Sequence, residues 1–234
     1  MRLSMSERTR PGSRAQAQRN IPTIDVVIVA PLIRQLGVLV RRVSDRRSKL
    51  MTALPHGVRR PGETLEASAL RIATEVLGSP PAWCEQVGAF VDGAHPSAAS
   101  MSVGFVVVVP GSATEGDSGS VEWIDSAIPA PMAERQARVL QGALAAIRHR
   151  MDFAPIPFRM LSPLFTLSDL QHVYELLLGR PLHKASFRRA LHASWLVEPT
   201  DVWRSEGRGR PAQLFRYAPR RRRGHRRAVR FDLL

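Results

Sequence analysis

Residues 165–191, FTLSDLQHVYELLLGRPLHKASFRRAL, and residues 207–217, GRGRPAQLFRY, decide how the C-terminal part of this chain folds. Thr166 or Ser168 can cap a helix running to about Leu178, and Asp169 in its first turn suits the positive end of the helix dipole. Gly179 ends that helix and Pro181 prevents its continuation. A second helix is predicted over about Lys184 to Leu196, with Phe187, Ala190, Leu191 and Ser194 inward. Lys184, Arg188 and His192 recur every four residues and share an outer face, with Arg189 beside it. Two short helices on a Gly/Pro turn, the second of them basic, have the order of a helix-turn-helix. Leu196 to Glu198, a turn, and Leu214 to Tyr217 then read as a β-hairpin whose tip sets Arg208 and Arg210 among Gly207, Gly209 and Pro211. The second helix would enter the major groove of double-stranded DNA, where arginine pairs with guanine. Glycines at the hairpin tip let its arginines approach a narrow minor groove. A lone basic helix is usually only a solvated face, but here a basic helix and a basic hairpin follow one another in winged-helix order.

The charge agrees with this placement. The 234 residues carry a formal net charge of +14, of which residues 1–20 hold +4 and residues 220–234 hold +6, against +1 over residues 21–160. Both ends are therefore matched to a polyanion, while the body is nearly neutral. Residues 1–20 read as a disordered basic arm and residues 220–234 as an Arg-rich tail that adds sequence-independent phosphate contacts. One cysteine, Cys84, excludes an internal disulfide framework and reads as a small buried hydrophobe. No apolar run has the length of a membrane span and the start lacks a secretory core, so the expected location is the cytoplasm, with no membrane partner.

Upstream, strands are expected at Ile24–Ala30, Leu36–Val43, Lys49–Leu54, Trp83–Val91, Met101–Val109 and Val121–Ile124. Helices are expected at Gly62–Leu77, with Leu65, Ala69, Ile72 and Val76 in one stripe, and at Met132–Met151, with Val139, Leu140, Leu144 and Ile147 inward. Residues 152–164, with three prolines, read as a linker. The fold class is α+β: residues 21–151 form a first domain and residues 165–219 a smaller winged helix. Trp83, Trp123, Trp195 and Trp203 are read as core or domain-contact residues.

The quoted segments resemble the winged helix of the Nudix-related transcriptional regulators of NAD metabolism, the NrtR family. The resemblance implies an N-terminal Nudix-like α/β/α sandwich with a mixed sheet, and a degraded Nudix box is indeed in register. Against G-x5-E-x7-R-E-U-x-E-E-x-G-U, the chain has Gly57, Glu63, Arg71, Glu75 and Gly78, but Ile72 and Val76 replace two of the three helix glutamates. Those three positions lie at i, i+3 and i+4 on one helical face, where carboxylates would hold Mg²⁺; a hard cation needs oxygen ligands and one glutamate is left. No metal and no cofactor is therefore required, no hydrolase activity is expected, and Gly57, Glu63 and Gly78 remain as structural remnants.

The family resemblance further implies a homodimer on a palindromic operator, with ADP-ribose or a related NAD-derived nucleotide as effector. It places Lys184, Arg188 and Arg189 of the basic helix and Arg208 and Arg210 of the wing at the DNA, and His192 joins them as a candidate contact by its place on the same outer face. Effector contact falls to Arg42, at the end of the second strand, and to His56, Arg71 and Glu75. His56 stands where the family has glycine and is read as a loop residue. Two other readings stay open: an active Mg-dependent hydrolase with a nucleic-acid-binding appendage, drawing ligands from Glu115, Asp117 or Glu122, and a constitutive DNA-binding protein that uses its first domain only to dimerise.

Overall fold

In the computed structural model, residues 21–44, 50–81, 83–114, 121–128, 130–205 and 210–219 are described. The expected arm at 1–20, the tail at 220–234, Arg208 with its flanking glycines, and Glu115 and Asp117 lie outside the described residues. The elements run β1 (Thr23–Pro31), β2 (Leu36–Ser44), β3 (Leu50–Ala53), β4 (His56–Val58), α1 (Leu65–Leu77), β5 (Cys84–Val91), β6 (Met101–Val108), β7 (Val121–Asp125), α2 (Glu134–Arg150), α3 (Ile156–Arg159), α4 (Leu167–Leu178), α5 (Lys184–Ser194), β8 (Val197–Arg204) and β9 (Ala212–Tyr217).

The first unit is a mixed sheet between two helices. Its order is β3-β2-β1-β6-β5, with β4 also on β1 and β7 on β2. β1 and β6 are parallel and the other pairs antiparallel. Both central strands are buried along nearly their whole length, as their unbroken valine and isoleucine runs require. Alternation splits the side chains of β1 between two cores. Ile24, Val26 and Ile28 join Ala69, Ile72 and Ala73 of α1, whereas Val27 and Val29 join Val139, Ala143 and Ile147 of α2. Gly104 of β6 permits α2 to sit close, because a Cβ there would meet Val139 and Phe90 at 2.9 Å. α1 is capped by Thr64, whose side chain accepts from Ala67 N, and ends at Gly78 in the left-handed conformation.

β1 and β2 pair only through Val29–Pro31 and Leu36–Val38. Beyond that they diverge, and one broken strand fills the gap: β3 continues along β2, the chain kinks at Leu54–Pro55, and β4 continues along β1. The short β4 was not foreseen in the sequence. A break in a ladder leaves peptide groups to satisfy. Gln136 of α2 does so: its Oε1 accepts from Leu54 N at 3.1 Å and its Nε2 donates to Asp25 Oδ1 at 2.7 Å and, more distantly, to Leu54 O at 3.4 Å.

Residues 152–164 are not a bare linker. They contain α3, and Ile156, Pro157, Phe158 and Met160 are buried. The prolines misled because Pro157 sits in the first turn of the helix, where a missing N–H costs nothing. Ile147, Met151, Ile156, Phe158, Met160 and Phe165 belong to one cluster with Leu170, Val173 and Leu191. The core of the first unit thus runs into the second. Arg148 Nε also donates to Leu177 O at 3.0 Å, and His172 Nε2 lies 3.3 Å from Leu32 O.

Replacing Gln136 by leucine keeps the volume, strands the buried Leu54 amide and leaves Asp25 with its bond from His95 but without that from Gln136. We expect a loss of about 2–3 kcal/mol of stability, read as a lower urea midpoint at unchanged slope. An unchanged midpoint would show that the kink is satisfied in another way.

Candidate nucleic-acid interface and Nudix remnant

The second unit is a helix-turn-helix with a wing. Thr166 and Asp169 form a capping box: Asp169 N donates to Thr166 Oγ1 at 3.0 Å, and Thr166 N to Asp169 Oδ2 at 2.8 Å. Gly179 takes the left-handed conformation that stops α4. Glu175 organises the turn, its Oε1 accepting from Leu182 N and Gln171 Nε2, both at 2.9 Å. α5 packs through Phe187 and Leu191 beneath Tyr174. It ends two residues earlier than expected, because Trp195 is left-handed at φ 55°.

β8 and β9 form the wing, and Phe165 bridges to Phe215 with reciprocal backbone hydrogen bonds of 3.0 and 2.8 Å. The expected turn after Glu198 is instead a continuation of β8 to Arg204, with the register shift falling between Pro199 and Trp203. Proline is tolerated there on an edge strand. Arg204 Nη2 donates to Asp169 Oδ1 at 2.9 Å and ties the wing to the start of α4. Burial pushes the Asp169 carboxyl up, but the bonds from Arg204 and Thr166 outweigh it and hold it below the usual carboxylate range.

Lys184, Arg188, Arg189 and His192 are all exposed on α5, and Arg210 is exposed in the loop that joins β8 to β9. They differ in aspect. Phe187 and Leu191 define the inward side, and Arg189, two residues from each, points away from both. The outer crest is therefore centred on Arg189. The Lys184–Arg188–His192 row lies to one flank, with Lys184 furthest round. Of the four tryptophans, Trp83 and Trp123 pack on the cores of the first unit. Trp195 and Trp203 are half exposed, at 47% and 58%. Neither the α5 cap residue Trp195 nor the β8 residue Trp203 is a core residue.

In the Nudix remnant, Arg71 Nε donates to Glu63 Oε1 at 2.8 Å, Nη2 to Glu63 Oε2 and to Val58 O at 3.1 Å, and Nη1 to Glu75 Oε1 at 3.2 Å. Arg60 approaches the same Glu75 oxygen at 3.4 Å. Ile72 is buried at 2% exposure against Gly57, and Val76 leans on the same core. The residues at the box do not fit a divalent metal: Glu75, the one carboxylate at its three helix positions, faces two guanidiniums, and the other two positions are apolar and turned inward. Hydrogen bonds from Arg71 and Ser68 hold the Glu63 carboxyl down at about 2, against an ordinary 4.5.

The four residues expected at an effector site do not converge. Arg71 and Glu75 stand on the α1 side of the sheet. His56 faces the other side, because alternation along β4 turns Gly57, not His56, toward Ile72. It is a strand residue, not a loop residue: its Nδ1 donates to Leu54 O at 2.8 Å and its ring meets the His95 ring edge-on at 5.2 Å. Arg42 pairs with Glu122, Nε donating at 2.9 Å.

Around His56 lies a buried polar group that sequence reasoning missed. His95 Nε2 donates to Asp25 Oδ1 at 3.0 Å, its Nδ1 accepts from Ser97 N at 2.9 Å, and Gln136 completes the set. Burial raises the Asp25 pKa, but its bonds from His95 and Gln136 prevail and leave it lowered. Arg135 holds the loop that carries His95, donating to the carbonyls of Asp92, Ala99 and Gly93 at 3.0, 2.8 and 3.0 Å. Asp25, a lone carboxylate inside the apolar run IDVVIVA, is the signal that could have revealed this group. Cys84 is free and half-buried; burial first, then Glu66 and Glu85, push its thiol up to about 12, which suits an inert side chain.

Because Glu63 is held below its unfolded value, its contribution to stability is complete above pH 4.5 and is lost as pH falls from 4.5 toward about 2. Thermal melts of the native chain and of Glu63→Gln, taken across that window, are expected to converge as pH drops. Parallel pH profiles would mean that the pair with Arg71 is not felt in the folded state.

The model of the NrtR DNA-binding winged helix domain matches residues 157–217, starting inside α3. The "ADPR responsive transcriptional repressor NtrR" of Acinetobacter baylyi is 31% identical over 204 residues, which cover 84% of this chain and 81% of that protein. The crystal structure of Shewanella oneidensis NrtR complexed with a 27mer DNA has a TM-score of 0.70 at 28% identity, over 85% of this chain and 94% of that one. A MutT/nudix family protein from Enterococcus faecalis shares the fold at a TM-score of 0.66 and 17% identity, over 91% and 95% of the two chains. The mixed Nudix-like sheet, the winged helix joined to it through a common core, and a relative this similar over most of its length place the chain in the NrtR family of Nudix-related transcriptional regulators.

Proposed function

We propose that this protein is a sequence-specific DNA-binding repressor of NAD synthesis or salvage genes whose Nudix-like unit senses ADP-ribose, or a related NAD-derived nucleotide, without hydrolysing it. One observation carries the reading: the exposed basic helix α5 beside a wing, in a chain 31% identical to a protein named as an ADPR responsive transcriptional repressor. The operator is a palindrome of double-stranded DNA and the protein binds it as a homodimer in the cytoplasm, since twofold operators match twofold proteins. Among the described residues, no helix is long and apolar enough to cross a membrane. Residues 21–151 would serve effector binding and dimerisation, and the charged ends at 1–20 and 220–234 would add phosphate contacts.

Sensing without catalysis is supported by the remnant itself. Glu75 is held by Arg60 and Arg71 rather than left open to a metal ion. A ligand alters DNA affinity only by binding the two conformations of the protein unequally. α2 offers a stiff connection, with Gln136 in the buried polar group near one end and Arg148 bonded to the end of α4 near the other.

A mobility shift of the full chain on its own upstream region and neighbouring promoters, with competitor DNA at physiological salt, tests this reading. The expected result is a specific shift, released by ADP-ribose in EDTA as well as in Mg²⁺, with the nucleotide recovered intact. A specific shift indifferent to ADP-ribose would leave a DNA-binding protein whose first unit is a scaffold or senses another ligand. Release of AMP with Mg²⁺ would return the hydrolase reading.

A further inference from the structure

The crest of α5 has a composition that the basic flank conceals. At about 100° per residue, Arg189 stands about 160° from both Phe187 and Leu191, opposite the buried side. One turn before it is Ala185 and one turn after it is Ala193, each about 40° off the same line. All three are exposed. The part of the helix furthest from the core is thus a single long cation between two methyl groups. Arg188 and His192 lie on one shoulder, with Lys184 further round, and Ser186 on the other, its Oγ 3.4 Å from His183 Nδ1.

A row of solvated charges would be the ordinary outer face of a surface helix. Small residues on the crest do something different: they let the helix backbone descend to the floor of a groove, with room for one long side chain. The major groove presents guanine O6 and N7 to a bidentate arginine, and thymine offers a C5-methyl that takes an apolar contact, alanine among the residues that supply it. Residues near the start of a recognition helix are those that reach base edges. Ala185 is the second residue of α5 and Arg189 the sixth.

Resting on the DNA-binding reading above, the geometry points to Arg189 and Ala185 as the pair that sets sequence specificity. Arg189 reads a guanine and Ala185 packs on a thymine methyl close by, while Arg188 and His192 on the shoulder hold phosphates. The separation is bounded. Four residues of helix rise about 6 Å, under two base steps of about 3.4 Å, so thymine and guanine lie within about two base pairs of one another.

Selection of random duplexes by the full chain supplies the operator. On it, each thymine is replaced in turn by deoxyuridine, which removes only the methyl, and binding is measured for the native chain, Arg189→Ala, Arg188→Ala and Ala185→Gly. We expect Arg189→Ala to lose discrimination at one guanine and Arg188→Ala to weaken all sequences alike with a shallower salt dependence. One deoxyuridine within two base pairs of that guanine is expected to weaken the native chain about fourfold, the worth of one buried methyl, and to leave Ala185→Gly unaffected. If guanine discrimination follows Arg188, or if no thymine methyl near the guanine matters, the assignment is overturned while DNA binding stands. If selection enriches no sequence, the DNA-binding reading itself fails and takes this one with it.

Discussion

The joining of the two units rests on one apolar seam. Ile147 and Met151 at the end of α2, Ile156, Phe158 and Met160 in the segment that follows, and Phe165 at the start of the winged helix are buried in a single cluster. Phe158 stacks against Tyr217 of the wing with ring centroids 4.4 Å apart and against Phe165 at 5.9 Å. Joined by a flexible tether, the two units would be free to reorient; joined by packed side chains, they are not, because close-packed interiors deform in discrete steps. The direction in which α5 presents Arg189 is therefore set by the first unit as much as by the second.

The residues that align with the Nudix box are tied into the fold of the first unit. Glu63 and Arg71 still clamp the loop before α1 to the helix, with Ser68 and the Arg60 amide adding to the clamp. At two of the box positions that carry carboxylates in the pattern, Ile72 is buried in the core and Val76 packs against it. Burial of Ile72 contributes on the order of 1.5–3 kcal/mol that a desolvated carboxylate would not. The third, Glu75, has become the partner of two arginines.

Periodicity made much of this legible. The stripe through Ala69 and Ile72, the valine run of β6, the caps at Thr166 and Gly179 and the inward Phe187 and Leu191 all follow from patterns of local spacing. What escaped depends on contacts remote in sequence. β4 is three residues long and exists because β1 and β2 diverge beside it. α3 was masked by its own proline, and its burial is decided by the wing. The polar group of Asp25, His56, His95 and Gln136 is drawn from four separate elements, and only the carboxylate in β1 hinted at it. The spacing of Lys184, Arg188 and His192 put them on one outer row, and the buried Phe187 and Leu191 set that row to one side of the line on which Arg189 stands.

The carboxamide of Gln136 stands in for a missing strand, offering its oxygen to one side of the Leu54 peptide and its nitrogen to Asp25 and the other. Ionised glutamate, the side chain of the same length and shape, offers acceptors only. The natural ageing reaction of Gln136, hydrolysis of the amide to glutamate, changes one atom and turns that donor into an acceptor. A second carboxylate would then press on Asp25 in a space closed to solvent. The burial that makes Gln136 useful to the sheet also keeps water from its amide carbon, where that hydrolysis would begin.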